Sequence, residues 1–160
     1  MTKITPFLWF DGQAEEAMNF YTSIFRNSKV GSVSRYGEAG PLPAGTVLTA
    51  SFELEGMQFT ALNGGPEFKF NEAISFYVDC EDQTEVDYYW ERLIADGGEE
   101  SQCGWLKDKF GLSWQIVPRR LMELMGDADP VKGERVMQAM LQMSKIVVAE
   151  LESAYAGEAN

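Results

Sequence analysis

Ala17-Met18-Asn19-Phe20-Tyr21-Thr22-Ser23-Ile24 carries the pattern on which the fold turns. Ala17, Phe20, Tyr21 and Ile24 recur at the i, i+3, i+4, i+7 spacing of one helical face, with Glu15 and Glu16 near the positive N-terminal end. Adding 69 to each number lands on Val86, Tyr89, Trp90 and Leu93, which repeat the stripe. A second match, at an offset of 55, sets Gly56-Met57-Gln58-Phe59-Thr60-Ala61-Leu62 against Gly111-Leu112-Ser113-Trp114-Gln115-Ile116-Val117. Two matches in the same order point to a duplicated unit.

The segments around the two helices read as strands. Ile4–Phe10, Val30–Tyr36, Val47–Leu54 and Met57–Leu62 are short apolar runs, the last two joined at Glu55-Gly56 as a hairpin. Gly37–Gly45, rich in glycine and proline, reads as a loop. In the second half, Ile74–Val78 is a strand, and Glu99–Leu106 with a short piece near Lys107–Lys109 completes the set. The expected class is α+β: two βαβββ repeats with curved mixed sheets over residues 1–118, half one about 1–66 and half two about 70–118. A helical extension, residues 119–156, follows. There Asp129-Pro130 supplies a capping carboxylate and a proline at the first helical position. Val136, Met140, Met143, Val147 and Leu151 then continue in helical rhythm. This Met-rich face packs either on its own domain or on a partner subunit, which makes a homodimer the expected assembly.

Composition removes several chemistries. With 160 residues and 45% hydrophobic content, the chain can bury a core without staples. A formal charge of −12 repels phosphate backbones and anionic lipid heads, so neither nucleic acid nor membrane is an expected partner. No run approaches the roughly 20 apolar residues that span a bilayer, and Met1–Phe10 does not read as a leader. Two cysteines, Cys80 and Cys103, fit free thiols in the cytoplasm. Histidine is absent, which eliminates Ser-His-Asp and Cys-His nucleophile systems and the usual imidazole metal sites. Carboxylates, Tyr, Lys, Cys and backbone amides remain as catalytic groups.

Candidate site residues each carry two readings. Trp9 and Trp114 either fill the core or line a cleft, and Trp105 lies close to them in the same scheme. Asn63 is either a turn residue before Gly64-Gly65 or a polar group facing a ligand. Gln115, an amide on an apolar strand, either faces solvent or is buried and needs a partner, which in the cleft shared with Trp9, Trp105 and Trp114 is a ligand. Cys103 is either structural or a nucleophile activated by Lys107, Lys109 or Arg35. Tyr36 beside Arg35 forms a possible acid–base or anion-binding pair. Glu53 and Glu55, two apart, share a solvated strand face.

Several motifs resemble the PhnB-like branch of the glyoxalase, bleomycin-resistance and extradiol-dioxygenase (vicinal oxygen chelate) superfamily, often labelled 3-demethylubiquinone-9 3-methyltransferase-like. They are Pro6-Phe7-Leu8-Trp9-Phe10, Phe20-Tyr21, Leu62-Asn63-Gly64-Gly65-Pro66, Cys103-Gly104-Trp105, Asp108-Lys109-Phe110-Gly111 and Trp114-Gln115-Ile116-Val117-Pro118, with Asp129-Pro130 in the tail. The resemblance implies paired βαβββ sheets and a cleft. In metal-dependent relatives four strands supply ligands. Carried over, these positions fall near Thr5 or Pro6, Leu62 or Asn63, Ala73 or Ile74, and on Gln115. None offers an imidazole or an acid, so no metal and no cofactor is expected. The label's methyltransferase is read as inherited, because Asn63-Gly64-Gly65-Pro66 is not a nucleotide-binding GxGxG turn. Three functions stay open: a metal-free aromatic cleft for a small partly apolar molecule, a histidine-free enzyme using Tyr36, Cys103 or Lys109 on a carbonyl compound, or a dimeric interaction protein.

Overall fold

A computed structural model describes residues 3–158, and the chain divides into two compact units, Met1–Phe70 and Asn71–Asn160. Each unit repeats one plan. In the first, β1 (Phe7–Phe10), α1 (Ala14–Ile24), β2 (Ser28–Arg35), β3 (Val47–Leu54) and β4 (Met57–Asn63) form a four-stranded sheet of order β1-β4-β3-β2. In the second, β5 (Ser75–Cys80), α2 (Gln83–Leu93), β6 (Glu99–Glu100), β7 (Trp105–Lys107) and β8 (Ser113–Pro118) form a sheet of order β5-β8-β7-β6. In both, the first strand runs parallel to the last and the others pair antiparallel.

The apolar stripes dictate this packing. Ala17, Tyr21 and Ile24 are buried on α1, and Val86, Tyr89, Trp90 and Leu93 on α2. Tyr21 packs on Phe52 at 5.9 Å between ring centroids, and Phe52 stacks on Phe59 at 5.4 Å. Alternation gives the second sheet two distinct faces. Leu106, Trp114 and Ile116 are buried, and Glu100, level with Leu106, accepts from the Trp90 indole of α2 at 2.9 Å. That is the helix side. Ser75, Tyr77, Trp105, Lys107, Ser113 and Gln115 occupy the opposite side.

The Glu55-Gly56 hairpin is made as read, with both residues at positive φ (48° and 84°), as a type I′ turn requires. Other expectations need correction. Glu99–Leu106 is not one strand: β6 and β7 are separate short strands joined by a turn at 101–104, where Cys103 (φ 60°) and Gly104 (φ 84°) reverse the chain. The stretch after Lys107 is a turn around Asp108, not a strand.

The tail stripe is interrupted as well. It forms α3 (Arg119–Met125), α4 (Pro130–Met140) and α5 (Val148–Ala156), with Asp129 capping α4 through Val131 N as its sequence predicts. Residues 141–147 leave the helix because their backbone carbonyls are used elsewhere. Met143 O accepts from Cys103 N at 2.7 Å, Ser144 O from Gly104 N at 2.8 Å, and Ile146 O from Gln83 Nε2 at 3.1 Å. Leu121, Leu124, Val136, Met143, Ile146 and Leu151 close a core against Val117. The tail therefore packs within its own unit. Met122, Val131, Met137 and Leu141 keep exposed apolar surface.

Candidate functional site

The seven candidate residues fall into separate settings. In the first unit, Asn63 is buried on the helix side of its sheet, and both ends of its amide are engaged. Its Oδ1 accepts from Ala14 N at 2.9 Å, and its Nδ2 donates to Val47 O at 3.0 Å. The reason lies in the repeat. Gln13 at the α1 cap makes no side-chain cap bond, so Asn63 reaches across to satisfy the helix start. In the second unit Asp82 caps α2 itself through Glu85 N, and Pro118 stands where Asn63 would be. Asn63 is a helix cap supplied from another strand.

Trp9 and Tyr36 are also tied down. Trp9 Nε1 donates to Gly65 O at 2.8 Å and its ring meets Phe68 edge-on at 4.8 Å. Gly64 must be glycine because a Cβ there would run into the Trp9 ring. The Tyr36 hydroxyl donates to Asn63 O at 2.8 Å, while Arg35 reaches Gly45 O and, at 3.8 Å, Glu15.

In the second unit, Trp114 lies on the helix side, 3% exposed, with its Nε1 donating to Asp108 Oδ2 at 2.9 Å. Cys103 is half-buried in the turn held by the tail, and Lys109 Nζ sits over the Phe110 ring at 5.4 Å. Trp105 and Gln115 are different. They are register partners on the face away from α2, and Gln115 Nε2 donates to Ser75 Oγ at 2.9 Å. Of the candidates in this unit, Trp105 and Gln115 share this face of the sheet.

A cavity of about 170 Å³ opens on that surface, lined among others by Glu72, Glu99, Trp105, Leu106, Lys107 and Ser113. Lys107 forms an ion pair with Glu72, which holds the Glu72 carboxyl below the usual carboxylate range and pushes the Lys107 ammonium up. Ser113 is 1% exposed and its Oγ has no hydrogen-bond partner among the described residues. The indole nitrogens of Trp9, Trp90 and Trp114 all donate within the chain, whereas that of Trp105 makes no such bond among the described residues. Ser113 was missed by sequence reading, and Lys107 entered it only as an activator of Cys103. Alternation contains the signal, since Ser113 stands two residues from Gln115 and so shares its face.

A metal of the kind carried by some relatives does not fit these residues. Thr5, Pro6, Leu62, Ala73 and Ile74 supply no anionic side chain, Asn63 is spent on α1, and Gln115 is a neutral amide bonded to Ser75. Among the described residues no three His, Cys, Asp or Glu side chains stand together as a metal cluster. Nor does the glycine-rich stretch cradle a nucleotide: Asn63-Gly64-Gly65-Pro66 closes β4 and leads through non-helical chain to β5, without the helix such a turn must open.

Comparison with known proteins agrees with this architecture. The family described as 3-demethylubiquinone-9 3-methyltransferase matches residues 2–117. Among solved structures, the PhnB protein of Bacillus cereus is 43% identical, with a TM-score of 0.67 over 73% of this chain and 99% of that one. The PA1353 protein of Pseudomonas aeruginosa is 19% identical, with a TM-score of 0.60 over 74% and 98% of the two chains. A fosfomycin resistance protein of Listeria monocytogenes, FosX, is 19% identical with a TM-score of 0.53 over 76% and 94%. The last two share the fold alone. No curated protein matches the chain. The family match ends at residue 117, so the three tail helices lie outside it.

Proposed function

The chain belongs to the 3-demethylubiquinone-9 3-methyltransferase (PhnB-like) family, and on that footing we propose that it binds a small, partly apolar molecule without a metal, on the face shared by Trp105 and Gln115. One observation carries the reading: a cavity of about 170 Å³ walled by the Trp105 indole on that face. Ligand pockets for drug-sized molecules hold roughly 300–1,000 Å³, so this cavity takes a compact molecule or one end of a larger one. Trp105 offers an apolar wall, and Glu99, Lys107 and Ser113 in the same lining offer polar groups that orient what lies against it. The methyltransferase of the family description is read as an inherited label, since the glycine-rich stretch Asn63-Gly64-Gly65-Pro66 leads from β4 to β5 and opens no helix that could hold a nucleotide cofactor. Free thiols support a reducing, cytoplasmic setting.

The test is a thermal-shift screen of small neutral and charged compounds on wild-type protein and on Trp105→Ala. Compounds that bind the cavity raise the wild-type midpoint by mass action and lose that effect in the variant. A flat response across the library, or shifts that survive Trp105→Ala, sinks the reading. Elemental analysis of protein purified without chelators should give no stoichiometric metal. One transition ion per chain would overturn the metal-free part.

A homodimer is a second reading, supported by the apolar surface left on the tail at Met122, Met137 and Leu141. Sedimentation of a Met137→Glu/Leu141→Glu variant decides it. A mass unchanged from wild type removes the tail as the interface.

A further inference from the structure

We infer that the cavity on the second sheet selects small organic ammonium ions, with the cationic end drawn toward Glu99, the body against Trp105, and a polar group meeting the Ser113 hydroxyl. The inference rests on the binding reading above and adds the class of ligand.

Three features of the lining decide the class. The first is charge. Lys107 stands between two carboxylates, paired with Glu72 and opposite Glu99 in the β6–β7 ladder. Its ammonium is therefore committed, and the side chains around it sum to an excess of negative charge. An anionic ligand would have to displace Glu72 and approach Glu99, and like charges at that range are unfavourable. A cation meets a net attraction, reinforced at longer range by a chain whose formal charge is −12.

The second feature is Trp105. It is half-buried, lines the cavity, and has an indole nitrogen without a partner among the described residues. Tryptophan has the strongest quadrupole of the aromatic side chains, and its face attracts ammonium groups. The third is Ser113. A hydroxyl 1% exposed and without a hydrogen bond among the described residues is costly in the folded protein unless something else satisfies it. It lines the cavity beside Lys107, its partner in the β7–β8 ladder, and can donate to or accept from a ligand.

Matched probes separate the possibilities. Benzylamine, benzyl alcohol and benzoate share size and ring and differ in charge. Each is titrated by calorimetry and by the NMR shift of the Trp105 indole N–H, identified by its loss in Trp105→Phe. The expected result is that benzylamine moves this resonance and binds about tenfold more tightly than benzyl alcohol, the size of one cation–π contact or charged hydrogen bond. Benzoate binds least. Glu99→Gln and Ser113→Ala each weaken benzylamine severalfold. Ser113→Ala also raises the thermal midpoint of the free protein, because it removes an unsatisfied hydroxyl. A purely structural serine would not couple greater stability to weaker binding.

Other outcomes overturn the proposal in distinguishable ways. Should benzyl alcohol or benzoate match benzylamine at the Trp105 resonance, the ammonium class falls while the cleft stands. Should Glu134→Gln, on α4 and outside the lining, weaken benzylamine as much as Glu99→Gln does, general attraction to an acidic protein accounts for the binding and the proposal falls. Should none of the three probes move the Trp105 resonance at millimolar concentration, the cleft reading falls and takes the ammonium class with it.

Discussion

Asp108 and Trp114 are joined by a 2.9 Å hydrogen bond from the indole Nε1 to Oδ2, and both side chains are almost wholly buried. The other oxygen of Asp108 accepts from Phe110 N at 2.9 Å and Leu112 N at 3.1 Å. One carboxylate thus ties the turn before β8 to the middle of that strand. Asp108→Ala removes three acceptor bonds and leaves the indole and Leu112 N–H groups unpaired. A loss of about 3 kcal/mol in unfolding free energy is expected, read as a lower urea midpoint with an unchanged slope. Asp108→Asn should lose less, because its carbonyl still accepts two amides while its NH₂ opposes the indole N–H. Equal midpoints for Ala and wild type would show that the network contributes nothing.

Acid should loosen the hold of the tail on its unit. Lys145 and, second, Gln83 hold the Asp87 carboxyl below the usual carboxylate range, and Tyr155 does the same for Asp127. For an acid whose folded value is lowered, the linked stability is present above the unfolded value of about 4 and is lost as pH falls through the folded value. Hydrogen exchange over residues 141–156 should therefore accelerate as pH drops below about 4, after correction for intrinsic rates. Asp87→Asn should flatten that dependence and leave the part due to Asp127. An identical profile in the variant contradicts this account. At neutral pH, Gln83→Ala should cost about 1–3 kcal/mol, because it strips partners from Ile146 O and Val148 N.

The two cysteines should differ sharply in reactivity. Cys80 is fully buried, and burial together with nearby carboxylates pushes its thiol up to about 12. Only the thiolate attacks an alkylating agent, so Cys80 has almost none to offer at pH 8. Cys103 is half-buried in a surface turn. Iodoacetamide on the native protein should label Cys103 first, with Cys80 modified only when urea is added, as peptide mass spectrometry would read. Equal labelling in native buffer would mean that β5 opens readily.

The repeat was legible because its evidence sits in buried positions. Ala17, Tyr21 and Ile24 and their counterparts Val86, Trp90 and Leu93 must all be apolar to cover a sheet, so the spacing survives in the sequence. The site was less legible. Trp114 and Gln115 were pooled in one cleft, yet adjacent strand residues point to opposite faces, and strict alternation would have kept Gln115 with Ser113 and parted it from Trp114. Asn63 carried no local sign of its role, because capping a helix 49 residues away depends on the parallel pairing of β1 with β4. The break in the tail at 141–147 is likewise unmarked by glycine or proline. It comes from tertiary contacts that outweigh helical periodicity.

Gly104 shows what those contacts imply. A Cβ there would meet Ile146 at 2.8 Å, so the tail lies directly on the turn that leads into Trp105. The turn that carries Trp105 into the cavity wall is thus braced by a segment that supplies none of the lining. Laboratory selection for a different guest should accordingly enrich changes at Met143, Ser144 and Ile146, which shift Trp105 by tilting the turn before it and leave the lining residues themselves untouched.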